Sequence, residues 1–473
     1  MIIQTVFAIY IILMLLIGIL EYRRSGGLLD YYLAGKRLSA TLVSFSFFAT
    51  YFSTSAFLGG GGFGFLAGFQ WSAFLTFFHI LFAIMAWMLI APRLKRVADE
   101  TGALTIPEMF GERFGREVRL ISSLVIVFFF AFYMVSIYKG AGNLLQVMMS
   151  ISYREGLLIT AVIVMLYTAI GGFRAVVYTD LIQGVLTFFG GVLLFTALLY
   201  YLGGLQAFEQ LANTKIFAGS GELLFEIGKL GPPPVMKAGL VVPFILSLTF
   251  AISIAQLSSP QLIIRFVAAR DERVIRRGML LTPLIIGIFA ICVFSIGPFG
   301  WLIIPKYDDP IKYLKDVDLV VPFIAMKVLP EGINALLLTA IIAAAMSTIN
   351  SLLHMMATSF ARDVLRSESV GLTRALVVVF AAIPLAVAVN PPDVIVAIVG
   401  VSFSVITSVF LIPLLAMLYG DPSKKSVLAS MIAALIVSVA WYMLYYRVYW
   451  IYPVVPGLIA SATVFAMFEK FFK

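Results

Sequence analysis

Ala49-Thr-Tyr-Phe-Ser53-Thr-Ser55-Ala-Phe-Leu-Gly59-Gly-Gly-Gly62-Phe-Gly64 interrupts a long apolar run covering residues 38–68. Four consecutive glycines weaken a helix, and Ser53, Thr54 and Ser55 just before them can donate or accept where carbonyls come free. A membrane helix must satisfy its own backbone, so a break in one is costly and usually lines a cavity. A competing reading is that these small residues only let helices pack closely.

Five spans later a second segment has the same character: Phe250-Ala-Ile-Ser-Ile-Ala-Gln256-Leu-Ser258-Ser259-Pro260-Gln261. Its proline cannot continue the backbone ladder, and polar residues precede it directly. Two broken helices at corresponding places in two halves point to an inverted repeat with a binding site near the bilayer midplane. The repeat rests on the breaks alone. A further run, Ala343-Ala-Ala-Met-Ser347-Thr348-Ile-Asn350-Ser351, places Ala344, Ser347, Thr348 and Ser351 on one helical face. With one or two freed carbonyls from residues 49–52 they would form an all-oxygen site suited to a hard monovalent cation. Mid-helix hydroxyls also bond their own backbone harmlessly, which is the simpler use of the same residues.

The whole chain fits this membrane setting. Of 473 residues, 62% are hydrophobic and 12% charged, against about 25% charged in an ordinary soluble protein. Runs such as residues 157–168 and 335–345 are apolar nearly all round, as spans are and amphipathic core helices are not. Hydropathy predicts an all-α membrane protein of about thirteen spans: 2–21, 38–68, 71–92, 119–152, 155–172, 175–203, 239–264, 275–303, 322–361, 371–390, 392–417, 425–446 and 448–469. The opening stretch has no Lys or Arg before its apolar run and no small-residue cleavage pattern, so it reads as a retained span. The net charge of +9 is spread over loops, which argues against a nucleic-acid surface. Alternating the loops between two sides puts 23 of the 33 Lys and Arg on one side. The positive-inside rule then places the N-terminus outside and the C-terminus in the cytoplasm of a multi-pass cell-membrane protein. The longest loop, about 204–238, holds Gly231–Pro234 and has room for a short surface helix but not for an enzyme module.

Few side chains carry charge inside the spans. Asp180 lies six residues past Arg174, about 9 Å into its helix, and reads as a cation ligand or relay, or as an interfacial partner of Arg174. Lys139 follows a charge-free stretch and either meets an anionic group of a solute in the cavity or snorkels outward. His79 and His354 stand singly, without a metal-ligand pattern, and read as core residues; the lone Cys292 reads as core filler. An enzyme would need a convergent set of acids, bases or metal ligands, and none is visible. A solute carrier is therefore expected, with a proton-coupled carrier or a solute sensor as the alternatives.

Several stretches together resemble the sodium:solute symporter family, most closely its sodium/proline branch. They are Asp30-Tyr-Tyr-Leu-Ala-Gly-Lys-Arg-Leu38 with the glycine break after it, Thr105-Ile-Pro-Glu-Met-Phe-Gly-Glu-Arg-Phe-Gly115, Tyr167-Thr-Ala-Ile-Gly-Gly-Phe-Arg-Ala-Val-Val-Tyr-Thr-Asp-Leu-Ile-Gln183, Ser259-Pro-Gln-Leu-Ile-Ile-Arg-Phe-Val-Ala-Ala269 and Ala344–Ser351. The likeness runs in order through residues 2–420. It implies a LeuT-type core of five plus five inverted helices and sodium-coupled import of a small organic solute, amino-acid or carboxylate-like, by alternating access. It also implies an extra N-terminal span and loop (1–37), a first repeat (38–203), an outer loop (204–238), a second repeat (239–420) and two C-terminal spans (421–473). The family's principal Na+ site falls on Ala49, Phe52, Ala344, Ser347 and Thr348. In some members a second sodium is held at positions matching Asp180, Ser347, Asn350 and Ser351, all of which bear side-chain oxygens here. Solute contacts are expected at Ser53, Ser55, Tyr133 and Gln256, with Lys139 as counter-charge. Where proline carriers have an aromatic pair this chain has Ile252 and Gln256, and where they have an acid it has Tyr51. Its solute recognition is therefore expected to differ from theirs.

Overall fold

The computed structural model describes residues 2–24, 26–213, 215–217, 223–226, 241–393 and 395–472. The first helix, α1 (Ile2–Arg24), is followed by α2 (Ala40–Tyr51), whose start is capped by the Ser39 side chain accepting from the Leu42 N–H. The chain leaves the helix at Phe52 (φ −92°, ψ 94°) and resumes in α3 (Ser55–Thr101). Then come α4 (Ile106–Phe114), α5 (Arg116–Met149) and α6 (Tyr153–Tyr201), the last opened by a reciprocal capping box between Ser152 and Glu155. After the loop that follows α6 run α7 (Val241–Ile254), α8 (Pro260–Ala268), α9 (Glu272–Phe294) and α10 (Glu331–Ser359). The chain finishes with α11 (Val370–Ala388), α12 (Ile395–Tyr419), α13 (Lys424–Leu444) and α14 (Val454–Phe472).

Among the described residues eleven helical segments are long and apolar enough to cross a bilayer, and Ala40–Tyr51 is a shorter apolar helix beside them. The sequence reading expects thirteen spans, and the difference lies in α3 and α6. These have 47 and 49 residues, on the order of 70 Å at 1.5 Å per residue, more than twice a hydrocarbon core of about 30 Å. Each turns in the middle at a glycine with positive φ, Gly68 (81°) and Gly172 (60°). At Gly172 a side chain would also meet the Tyr31 ring 2.5 Å away, so both conformation and space demand glycine there.

The first break is where hydroxyls, not glycines, stand. Helix α2 ends at Tyr51, eight positions before the glycine quartet begins at Gly59. The glycines lie inside α3 and provide close approach: a Cβ on Gly60 would come 2.7 Å from the Phe294 ring and one on Gly61 3.0 Å from the Val293 carbonyl oxygen. The packing reading is correct for the glycines, and the break belongs to Phe52 and Ser53. The second break falls as expected. Helix α7 ends at Ile254, a single 3₁₀ turn covers Ala255–Leu257, and Pro260 opens α8, where its missing N–H costs nothing.

Burial ranks the helices. The apolar windows of α10 and α12 are 94% and 89% buried, while those of α1, α11, α13 and α14 are 17–28% buried. The first pair therefore forms the centre and the second group the lipid-facing periphery, consistent with α10 being apolar or small all round. The loop after α6 contains the helix Gln206–Ala212 and an antiparallel hairpin pairing Lys215 with Glu226 and Ile216 with Phe225. Gly231–Pro234 lies outside the described residues.

Candidate ion and solute sites

The first break meets the centre of α10. Ser347 Oγ donates to the Ala49 carbonyl at 2.8 Å, and Thr348 Oγ1 lies 3.1 Å from the Thr50 carbonyl and 3.5 Å from that of Ala49. Both hydroxyls also reach the Ala344 carbonyl, at 3.1 and 3.3 Å. Four of the five expected sodium ligands thus form one oxygen cluster at the end of α2, where the helix has no further turn to claim its carbonyls. Phe52, the fifth, turns its backbone out of the helix at the break. The Thr50 carbonyl joins the cluster; it lies within the 49–52 stretch expected to free carbonyls but is not among the five positions the resemblance implies.

The expected second set is arranged differently. Asp180 does not pair with Arg174, which binds Glu21 at 2.9 Å and Asp30 at 3.9 Å. It pairs with Arg265 of α8 at 3.0 Å, and neither side chain is exposed at all. The sequence reading assigned Arg265 to a loop. In the structure it is buried, and its guanidinium donates to Thr50 Oγ1 (2.5 Å), Ser351 Oγ (2.6 Å), Ser46 Oγ (3.0 Å) and the Gln261 carbonyl. Asn350 reaches Asp180 Oδ1 at 3.4 Å, while Ser347 is turned to Ala49. Three of the four expected residues thus gather at the Asp180–Arg265 ion pair, and the fourth, Ser347, faces the first cluster. A buried pair of this kind is held by its satisfied hydrogen bonds, and removing one partner strands the other charge.

Beside the break lies a small cavity of about 40 Å³, room for about three water molecules. Tyr51, Phe52, Ser55, His79, Tyr133 and Phe294 are among its walls. Ser55 and Tyr133 therefore stand where solute contacts are expected. Ser53 does not line the cavity; its Oγ accepts from the Ser55 N–H at 3.0 Å and shapes the break. Gln256 does not line it either. Its side-chain amide donates to the carbonyls of His79 (3.0 Å) and Ser253 (3.2 Å), fastening α3 to the 3₁₀ turn that follows α7. Lys139 is likewise not a free counter-charge: its Nζ is 2.8 Å from Asp318 Oδ2 and 3.9 Å from Asp316. The same Asp318 oxygen accepts from the Ile395 N–H at 3.2 Å, so one carboxylate joins α5, the segment before residue 320 and the start of α12. His79, read from sequence as a core residue, is a wall of the cavity. No spacing rule marks it, because its partner Ser253 is 174 positions away.

The remaining motif residues close the opposite end. Thr105 caps α4 by accepting from the Glu108 N–H at 3.0 Å and donates its hydroxyl to Asp363 at 2.8 Å. Arg119 binds Asp363 at 2.7 Å and Glu108 at 3.3 Å, and Arg362 binds Glu108 at 3.0 Å. Leu38 and Ala269 form a backbone bridge, with the Arg270 N–H 3.1 Å from the Leu38 carbonyl and the Leu38 N–H 3.3 Å from the Ala268 carbonyl, tying the approach to α2 to the end of α8. Two ion-paired clusters thus tie helices together, one at Lys139 and Asp318 and one at Arg119, Asp363 and Glu108.

The model of the sodium:solute symporter family matches residues 31–440. The chain is 27% identical to the sodium/pantothenate symporter of Haemophilus influenzae, over 94% of this chain and 90% of that protein. It is 28% identical to the high-affinity proline transporter of Bacillus subtilis, over 95% and 93%. Among solved structures, a Na+-coupled sialic acid symporter in a substrate-bound outward-open state superposes with a TM-score of 0.79 at 18% identity, covering 100% of this chain and 98% of that one.

Proposed function

Because the chain belongs to the sodium:solute symporter family, a family of carriers and not of enzymes, we propose that it couples sodium entry to import of a small amino-acid or carboxylate-like solute by alternating access. The observation that carries this reading is the oxygen cluster of Ala49, Ala344, Ser347 and Thr348 directly beside the cavity at Tyr51, Ser55 and Tyr133. One sodium ion sits in that cluster, with Phe52 and Thr50 adding carbonyls. It ties α2 to α10 and so favours the state open to the outside, because an ion shifts the equilibrium only toward the state it binds better. Solute then fills the cavity and the outer path closes through Lys139 and Asp318. A membrane potential contributes about 2.3 kcal/mol per charge per 100 mV to delivery. The thirteen-span count, with the turns at Gly68 and Gly172 as boundaries, repeats at 38–203 and 239–420, the N-terminus outside and the C-terminus inside, belongs to the same proposal. It is supported by a broken first helix in each half.

The test is a solute screen by counterflow in proteoliposomes, with proline and pantothenate, the named solutes of relatives, among the candidates. Uptake that follows a sodium gradient and not a pH gradient is expected. Sodium-free uptake driven by protons alone overturns the coupling.

A further inference from the structure

The ring of His79 is held on every side. It lies 5.4 Å from the Tyr51 ring, 5.7 Å from Phe52 and 5.0 Å from Phe294 between centroids. Its Nδ1 is 2.9 Å from the Leu75 carbonyl oxygen and 2.9 Å from Ser253 Oγ. A carbonyl only accepts, so the short contact with Leu75 requires a proton on Nδ1 and leaves Nε2 with its lone pair in the neutral ring. The Gln256 amide fixes the backbone of the same residue. Nε2 has no partner among the described residues, and His79 is 4% exposed and forms part of the cavity wall. The other polar groups nearby are already engaged or are hydroxyls: Tyr51 donates to the Ile252 carbonyl at 2.9 Å, and Lys139 is bound to Asp318.

We propose that His79 is a specificity-determining solute contact, presenting an acceptor that selects solutes bringing an N–H or O–H donor into the aromatic cavity, with Gln256 as its positioning residue. This rests on the reading of the cavity as the solute site, and it narrows the solute class to small molecules with an amine, amide or hydroxyl hydrogen beside a compact apolar body. A donor-lacking analogue leaves Nε2 buried and unpaired, and sites built for a hydrogen bond reject such analogues strongly.

The experiment measures thermal stabilisation of the purified full chain, in sodium chloride and in choline chloride, by matched pairs of solutes. L-Proline with tetrahydrofuran-2-carboxylate, and small hydroxy acids with their O-methyl ethers, are such pairs. Donor-bearing members are expected to bind at least about tenfold more tightly than their partners. His79→Phe, which keeps an aromatic ring and removes the lone pair, is expected to abolish the discrimination. Gln256→Ala is expected to reduce it and serves as the second variant if His79→Phe does not fold. Equal binding within pairs, discrimination that survives in both variants, or no stabilisation by any member overturns the inference. Discrimination that is equally strong in choline chloride upholds the His79 contact while overturning sodium coupling, so the two failures are separable.

Discussion

Replacing Ser347 and Thr348 together by alanine tests the ion site most directly, and the geometry sets the size of the effect. A contact to an ionised centre contributes about 1.5–3 kcal/mol and a neutral hydrogen bond about 0.5–1.5 kcal/mol. In the structure Ser347 donates to the Ala49 carbonyl at 2.8 Å and Thr348 to the Thr50 carbonyl at 3.1 Å. Sodium entering the cluster trades these neutral bonds for ligation, so each hydroxyl favours the ion by the difference, about 1 kcal/mol. Loss of both weakens sodium by about 2 kcal/mol, or roughly 30-fold at 1.4 kcal/mol per factor of ten. The assay is equilibrium binding of radioactive sodium to the purified protein, which needs no knowledge of the solute. Thr348→Ser keeps the hydroxyl and is expected to change affinity less than about threefold. A double variant whose half-saturating sodium concentration is unchanged refutes the site.

Three further perturbations separate the closures from the site. Arg265→Gln strands Asp180 in a wholly buried place and is expected to cost about 3–5 kcal/mol of stability; Asp180→Asn in the same chain should restore most of it, read by thermal unfolding in detergent. If the double variant is no more stable than Arg265→Gln, the pair is not a closed unit. Lys139→Met removes the cation from Asp318 and should speed labelling of a cysteine placed at Ala56, in a Cys292→Ser background, by a membrane-impermeant maleimide roughly fivefold, equivalent to about 1 kcal/mol. An unchanged labelling rate would show that this pair does not close the outer path. Gly62→Ala sets a methyl group against the Val317 carbonyl, closer than any real contact allows. Solute uptake should fall while sodium binding persists, and normal uptake would show that residues 317–319 need not press on α3.

How far these features can be read from sequence depends on where their partners lie. The break before α8 is legible because proline carries its own backbone constraint, and the Ala344–Thr348 face is legible because helical spacing is local. The glycine quartet misleads as to the first break, since its reason is steric and comes from Phe294, Val293 and Val317, more than 200 positions away. Arg265 looks like one more loop cation next to the group at residues 270–277, and only the fold shows that it reaches Asp180, 85 positions earlier. The sequence reading gives Lys139 and Gln256 a role toward the solute, and the structure engages both side chains with protein partners. Their partners, Asp318 and the His79 backbone, come from other helices, and no periodicity predicts such pairings.

At the proposed sodium site Thr50 would face two cations at once, the ion and Arg265. Its carbonyl belongs to the oxygen cluster through Thr348, and its hydroxyl lies 2.5 Å from the Arg265 guanidinium. Whatever draws α8 and its arginine away from α2 alters the orientation of the same residue that lends sodium an oxygen. Binding linkage is reciprocal, so the factor by which sodium steadies that arginine must equal the factor by which the seated arginine tightens sodium. If sodium binds as proposed, a single threonine thereby makes the ion's departure and the loosening of α8 one event seen from two ends.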